Sequence, residues 1–140
     1  MEIKEIAREA GHRTKMAILS SDARVDAVGA CVGNRGARVN AVVEELGGEK
    51  IDIILWNEDP LAFIYKALSP ATVLSVTAKG EKSAIAIVPD DKLSLAIGRD
   101  GQNARLAARL TGWKIDVKAE SSPEAREILA QIESEESEEE

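Results

Sequence analysis

One four-residue pattern, Gly-x-x-Gly, occurs twice in matching surroundings, and it restricts the possible folds of this chain more than any other feature. The copies are Gly33-Asn34-Arg35-Gly36 and Gly98-Arg99-Asp100-Gly101. Each follows a short apolar run, 25–32 or 92–97, and each opens a second run with helical spacing. In the second copy Ala104, Ala107, Ala108 and Leu110 lie on or beside one face, while Arg105 and Arg109 project from another. Glycine lacks a Cβ, so its backbone approaches other groups closely and takes positive φ. A helix starting at such a loop presents unpaired N–H groups and the positive end of its dipole. That combination suits an anionic oxygen, and each loop adds an arginine, Arg35 or Arg99. A single Gly-x-x-Gly reads as a plain helical corner. Two copies in the same frame point to phosphate.

The likeness continues beyond the loops. Helix ends at Gly47-Gly48 and Gly112 are each followed by Lys-Ile-Asp and an aliphatic residue, at 50–53 and 114–117. Upstream, Met16-Ala17-Ile18-Leu19 is matched with Ile85-Ala86-Ile87-Val88. The repeated unit is therefore strand, strand, helix, loop, helix, strand. This is two copies of one α+β module rather than a solenoid. A chain of 140 residues accommodates two modules of about 60 residues each; such small units gain stability by packing on one another.

A formal charge of −7 looks wrong for a chain that binds phosphate, but its distribution resolves the conflict. From Glu120 onward there are nine acids and one base; subtracting them from the totals of 25 and 18 leaves 16 acids and 17 bases in residues 1–119. The body is near neutral, with Arg35, Arg38, Arg99, Arg105 and Arg109 beside the loops. Cys31 is the single cysteine, so no internal disulfide forms and a reducing compartment is expected. One Cys and one His make no zinc set, and no metal or other cofactor is expected. No apolar stretch of about 20 residues and no signal-peptide pattern is present, which points to an intracellular chain without membrane contact.

Taken in order, 2–10 has helical propensities, but its counterpart 72–78 is β-branched, so it reads as a strand joined by the turn 10–13 to a second strand, 13–19. His12 reads as an exposed turn residue. The loop 20–24 is expected to cap the first helix. After the first glycine loop, Val39, Val42, Val43 and Leu46 form an i, i+3, i+4, i+7 stripe, predicted to be core. Trp56, at the end of the strand 50–56, is expected to pack in the core or between modules. Asp59 and Pro60 read as the N-cap and first position of a helix whose apolar face is Leu61, Ile64, Tyr65 and Leu68. The first module lacks a counterpart of this helix, so the chain reads as a piece of a longer factor. The domains are expected at 1–57, 58–120 and 121–140. The last of these holds a helix started by Ser122-Pro123-Glu124, with Ala125, Ile128, Leu129 and Ile132 on one face, and then a disordered acidic end from Ser134. No flexible linker separates the modules, so a fixed mutual orientation is expected.

The stretch IGRDGQNARLAARLTGWKIDV resembles the second KH module of the bacterial NusA family, and VDAVGACVGNRGARVNAVVEELGGEKIDIILWNEDP resembles its first. The resemblance covers about residues 2 to 119. It implies two tandem type II KH domains, each a small three-stranded sheet packed on helices. It also implies single-stranded RNA binding in transcription elongation, pausing, termination and antitermination, without enzymatic activity. RNA polymerase contact belongs to an amino-terminal part of that family's chains that is absent from this sequence. A cytoplasmic monomer is expected.

Carried onto these positions, the RNA-binding residues are Val32, Gly33, Asn34, Arg35, Gly36 and Arg38 in the first module, and Ile97, Gly98, Arg99, Asp100, Gly101, Asn103 and Arg105 in the second. KH loops clamp about four nucleotides by their backbone. Bases would lie against a groove near Val28, Val32, Leu93 and Ile97, and Asp100 would cap the second helix instead of touching RNA. Competing classes are a KH-fold protein scaffold, a ribosome-associated RNA binder and a nucleotide-binding enzyme. The last has no Walker or dinucleotide motif to support it.

Overall fold

The computed structural model describes residues 2–22, 26–33 and 36–139. The chain runs β1 (Glu2–Glu9), β2 (Arg13–Leu19), α1 (Ala27–Val32), α2 (Ala37–Glu45), β3 (Lys50–Leu55), α3 (Pro60–Ala67), β4 (Ser75–Ala78), β5 (Ser83–Val88), α4 (Leu93–Ile97), α5 (Gln102–Thr111), β6 (Lys114–Ala119) and α6 (Pro123–Glu139). There are two three-stranded sheets, ordered β1-β2-β3 and β4-β5-β6. In each, the middle strand pairs antiparallel with its hairpin partner and parallel with the strand that returns after the helices. A parallel return needs a crossover, and the helix–loop–helix supplies it.

The register corrects the matching of the repeats by one residue. Met16 lies opposite Ile53 and Ala86 opposite Val117, so Met16 corresponds to Ala86 and Lys15 to Ile85. A one-residue shift moves every side chain to the other face of a strand. The consequence here is large, because a lysine in the first sheet occupies the place of an isoleucine in the second.

Each sheet has elements packed on both faces, although Ile3 and Ile6 of β1 stay more than half exposed. In the second module, Ala84, Ala86 and Val88 join Ile64, Leu68, Ala96, Leu106 and Leu110 in the main core. The opposite face, Ile85 and Ile87, packs on Ala125, Ile128 and Leu129 of α6. Ser122 starts that helix by accepting a hydrogen bond from the Ala125 N–H. In the first module the face that carries Ala17 and Ile54 is covered by the second module, and both residues belong to the same core as Phe63, Leu68 and Leu106. What α6 does for the second sheet, the second module does for the first.

At this junction the Lys15 side chain is fully buried. Its Nζ donates to Asp52 Oδ2 at 2.8 Å and to the Ser69 carbonyl of the second module at 2.7 Å. Arg13 donates to both oxygens of Asp52, at 2.7 and 2.8 Å. Burial pushes the Lys15 ammonium pKa down, and the Asp52 charge only partly offsets this. Burial pushes the Asp52 carboxyl up, but Arg13 and Lys15 outweigh it and its pKa is lowered.

A second buried carboxylate, Glu49, ties the β1–β2 turn to the start of β3. It accepts from Arg8 Nε and Nη2 at 2.9 and 2.8 Å, from Thr14 Oγ1 at 2.6 Å and from the Gly11 N–H at 2.8 Å. The Arg8 hydrogen bonds come first, and with those of Thr14 and Gly11 they hold its pKa down at about 2, against an ordinary 4.5. A lowered carboxylate pKa gives stability that is complete above the unfolded value and is lost as pH falls through the folded one. Denaturant midpoints are therefore expected to drop between pH 4.5 and about 2. In Glu49→Gln that drop should be smaller; an unchanged pH dependence would rule out this assignment.

Several local expectations need revision. Asp26, not the loop before it, caps α1, accepting from the Gly29 N–H; 23–25 lie outside the described residues. The Val39, Val42, Val43 and Leu46 stripe is not core: no residue of α2 is buried, and Val42 and Leu46 are 46% and 39% exposed. In α5, by contrast, Leu106, Ala107 and Leu110 are buried, and α3 packs on that helix. Among the described residues no helix lies in that place over α2. On α3, Asp59 and Pro60 start the helix as expected, but Phe63 and Ala67 are buried where Tyr65 is 41% exposed. Residues 72–74 precede β4 rather than belonging to it. Trp56 is half-buried at the edge of the core, with Lys4 Nζ 4.8 Å from its ring centre. Helix α6 continues to Glu139, where the composition suggests disorder. Glutamate is a good helix former, and extending an existing helix costs far less than nucleating one.

Candidate nucleic-acid interface

The glycines of the two loops have matching backbone conformations. The first glycine of each lies at φ 78, ψ −178 (Gly33) or φ 80, ψ 168 (Gly98). The second is left-handed, at φ 76, ψ 13 (Gly36) or φ 76, ψ 11 (Gly101), and directly precedes the following helix. Asp100 is also left-handed, at φ 56. Two successive left-handed residues turn the chain sharply from α4 into α5. Asn34 and Arg35 lie outside the described residues.

The bareness of the first glycine serves the corner itself. A Cβ on Gly98 would lie 2.6 Å from Asn103 N, and one on Gly33 would lie 2.8 Å from Arg38 Cγ. Each helix start is packed directly onto the glycine that ends the helix before it. At Gly101 a Cβ would meet nothing nearer than Arg105 Nη1 at 3.7 Å.

Three residues expected at the ligand are held by protein groups. Asn103 is 3% exposed, and its Nδ2 donates to the carbonyls of Leu68 and Ala96 at 3.0 and 2.8 Å. It clamps α3, α4 and α5 together. Arg38 Nη1 donates to the Ala30 carbonyl at 2.8 Å and closes the first corner in the same way. Arg105 pairs with Glu9 of the first module, donating at 2.9 and 2.8 Å from Nε and Nη2. Its Nη1 also donates to the Asp100 carbonyl at 3.0 Å. The Arg105 hydrogen bonds are the main cause of the lowered Glu9 pKa. Asp100 does not cap α5: Gly101 is the capping residue and no side chain bonds the helix start, because a left-handed backbone carries the Asp100 side chain away from it.

Arg99 is exposed and lines two adjoining recesses with His12 and Gln102. Val32 is half-buried at the end of α1, and Ile97 is 37% exposed at the end of α4. In the predicted base groove, Leu93 turns toward the core, whereas Leu95, 43% exposed, faces outward. Leu95, Glu9, His12 and Lys50 were invisible as site residues. Sheet packing, with no local signal, brings the last three beside the second loop.

Comparison with known proteins agrees with this geometry. Residues 1–56 match NusA-like first KH domains, and residues 60–125 match NusA-like second KH domains. The chain belongs to the NusA-like KH family. It is 57% identical over 129 residues to the transcription termination/antitermination protein NusA of Bacillus subtilis (strain 168), covering 91% of this chain and 34% of that protein. It is 54% identical over 125 residues to the protein of the same name from Mycobacterium tuberculosis (strain ATCC 25618 / H37Rv), covering 88% of this chain and 36% of that one. The chain thus spans about a third of the length of these relatives. A crystal structure of APE1850 is 19% identical, with a TM-score of 0.58 over 83% of this chain and 88% of that one, a likeness of fold alone. The two KH domains are each a three-stranded sheet packed on helices, as the repeat predicts. Among the described residues no helix is long and apolar enough to cross a membrane.

Proposed function

We propose that this chain binds single-stranded RNA through both glycine loops, and that it serves transcription elongation, pausing, termination and antitermination. The observation that carries this reading is the matching conformation of the paired glycines in two KH domains joined by one continuous core. Gly33, Gly36, Gly98, Gly101 and Arg99, with Asn34, Arg35 and Asp100 between the glycines, form the surface for the sugar–phosphate backbone. Val32, Ile97 and Leu95 offer apolar ground for bases. Arg38, Asn103 and Arg105 position the loops. With few aromatics to stack on, contacts to the RNA backbone dominate, so sequence selectivity is modest. RNA polymerase is the partner of a longer chain, and the KH pair acts as a cytoplasmic monomer. Its role is to bind rather than to catalyse.

The test is a salt-dependent titration with short single-stranded RNAs and matched DNAs. Asn34→Asp/Arg35→Asp combined with Arg99→Asp places an acid at both central positions of each loop, since Asp100 is one already. Losing and reversing these charges is expected to weaken RNA binding on the order of 100-fold at low salt and to flatten its salt dependence. Unchanged affinity would favour the protein scaffold.

A further inference from the structure

The chain holds two tryptophans, and both line one small recess where the domains meet. Neither glycine loop contributes to its lining. Trp56 follows β3, and Trp113 follows the ten-residue helix α5, so Trp113 stands a helix length, about 15 Å, from the second loop. Phe63, 5% exposed, adds a third ring to the wall. Two exposed acids also line the recess, Glu5 of β1 and Glu58 before α3. Their side chains make no hydrogen bond or ion pair among the described residues.

The recess measures about 180 Å³, room for one side chain and well short of the roughly 300–1,000 Å³ of a small-molecule pocket. Its frame is fixed. The Trp56 N–H donates to the Ile18 carbonyl at 2.8 Å, the Trp113 N–H to Thr111 Oγ1 at 3.3 Å, and the Asp59 N–H to Asn57 Oδ1 at 2.8 Å. Aromatic faces attract cations, and Lys4, outside the lining, already places its ammonium 4.8 Å from the Trp56 ring centre. Half-buried indoles flanked by two carboxylates suit a cation and repel a phosphate. Arginine fits better than lysine: its flat guanidinium stacks on rings, pairs with carboxylates through two bonds and is more weakly hydrated. Next to this recess, sharing Asn57 with it, lies an apolar groove of about 370 Å³ that includes Leu55, Leu61, Tyr65 and Val76. Leu55 and Tyr65 are 43% and 41% exposed there.

We infer that the tryptophan recess docks one arginine of a partner protein, with an adjacent apolar residue of that partner seated on Leu55 and Tyr65. The guanidinium lies against the indoles of Trp56 and Trp113 and is neutralised by Glu5 and Glu58. Tryptophan, tyrosine and arginine are the residues that most often dominate the energy of protein interfaces. This surface is separate from the glycine loops and does not depend on the RNA reading, so the chain can hold RNA and a protein together.

Because both tryptophans line the recess, intrinsic fluorescence reports its occupancy directly. The whole chain is titrated at low salt with the capped peptide Gly-Leu-Arg-Leu-Gly, and with the same peptide carrying citrulline, which has the shape of arginine without its charge. The arginine peptide should change the emission saturably, and the citrulline peptide should bind about tenfold more weakly. Glu5→Gln/Glu58→Gln should weaken the arginine peptide about tenfold and leave the citrulline peptide unchanged. Glu133→Gln/Glu135→Gln, on α6, removes the same charge elsewhere and should alter neither peptide by more than about twofold. Denaturation midpoints of both variants should match the parent, since none of the four carboxylates makes a hydrogen bond or ion pair among the described residues. The absence of a saturable emission change, equal binding of the two peptides, or equal losses in the two variants would overturn the pocket. RNA affinity of Glu5→Gln/Glu58→Gln should stay within about twofold of the parent; a tenfold gain would put these acids on the RNA path and overturn the separate protein surface.

Discussion

Asp52→Ala is expected to destabilise the chain by about 3–5 kcal/mol, the usual cost of removing one partner from a buried ion pair. Lys15 would keep a single partner, the Ser69 carbonyl, and its ammonium has no water to turn to. Arg13 would lose both of its hydrogen bonds. The deficit has a sign in pH. An uncompensated buried lysine has its pKa pushed below the ordinary 10.5, so it penalises the folded state below that value. Stability should therefore recover toward the parent as pH rises toward 10.5. The repeat supplies the control. Asp116 occupies the matching position of the second sheet, where Ile85 replaces Lys15. Asp116→Ala is expected to cost less than about 1 kcal/mol, as for a surface group. Guanidinium melts of the two variants measure the contrast. The parent should unfold in one transition, because residues of both domains share one core. Equal destabilisation of the two variants, or separate domain transitions in the parent, would show that the junction does not carry this energy.

Gly98→Ala is expected to cost about 3 kcal/mol or more, from two effects at one atom. The backbone at φ 80, ψ 168 lies in a region almost reserved for glycine, worth about 1–3 kcal/mol to any other residue. The added Cβ would also lie 2.6 Å from Asn103 N and 2.8 Å from Asn103 Cβ, which no rotamer change relieves. Moving Asn103 breaks its hydrogen bonds to Leu68 and Ala96, so the damage spreads into the core of the second domain. Gly101→Ala, three residues on, is the comparison. It meets only the strain of a left-handed residue, about 1–2 kcal/mol, with Arg105 Nη1 3.7 Å away. Urea denaturation should rank Gly98→Ala well below Gly101→Ala in stability. The reverse order would mean that the corner relaxes around the first glycine. RNA affinity at temperatures where both variants stay folded should fall further for Gly98→Ala, because the start of α5 must shift.

Periodicity and turn chemistry made the architecture legible. Asp59-Pro60 and Ser122-Pro123 marked helix starts, Gly47-Gly48 and Gly112 marked ends, and the doubled Gly-x-x-Gly identified the module. Each of these signals acts within a few residues of itself, so a linear reading captures it. The α2 stripe misled because amphipathicity states which face is apolar, not whether anything lies on it; α5 has α3 and α2 has no such cover among the described residues. The protein contacts of three expected site residues were hidden for a related reason. Asn103, Arg38 and Arg105 stand beside the glycines, and they donate to carbonyls and to Glu9, a residue 96 positions away from Arg105 in the chain.

The sequence alone therefore determined two α+β modules, their order of elements, their paired loops and their resemblance to KH domains, because all of these rest on short-range geometry and on repetition. Only the tertiary structure decided that Lys15 is buried against the second domain, that α6 covers the far sheet, and that His12 and Lys50 stand beside the second loop. Those placements follow from sheet register and from the packing of one domain on the other. A register differs by a single residue between burying a face and exposing it, and no local pattern in the chain records which partner will meet it.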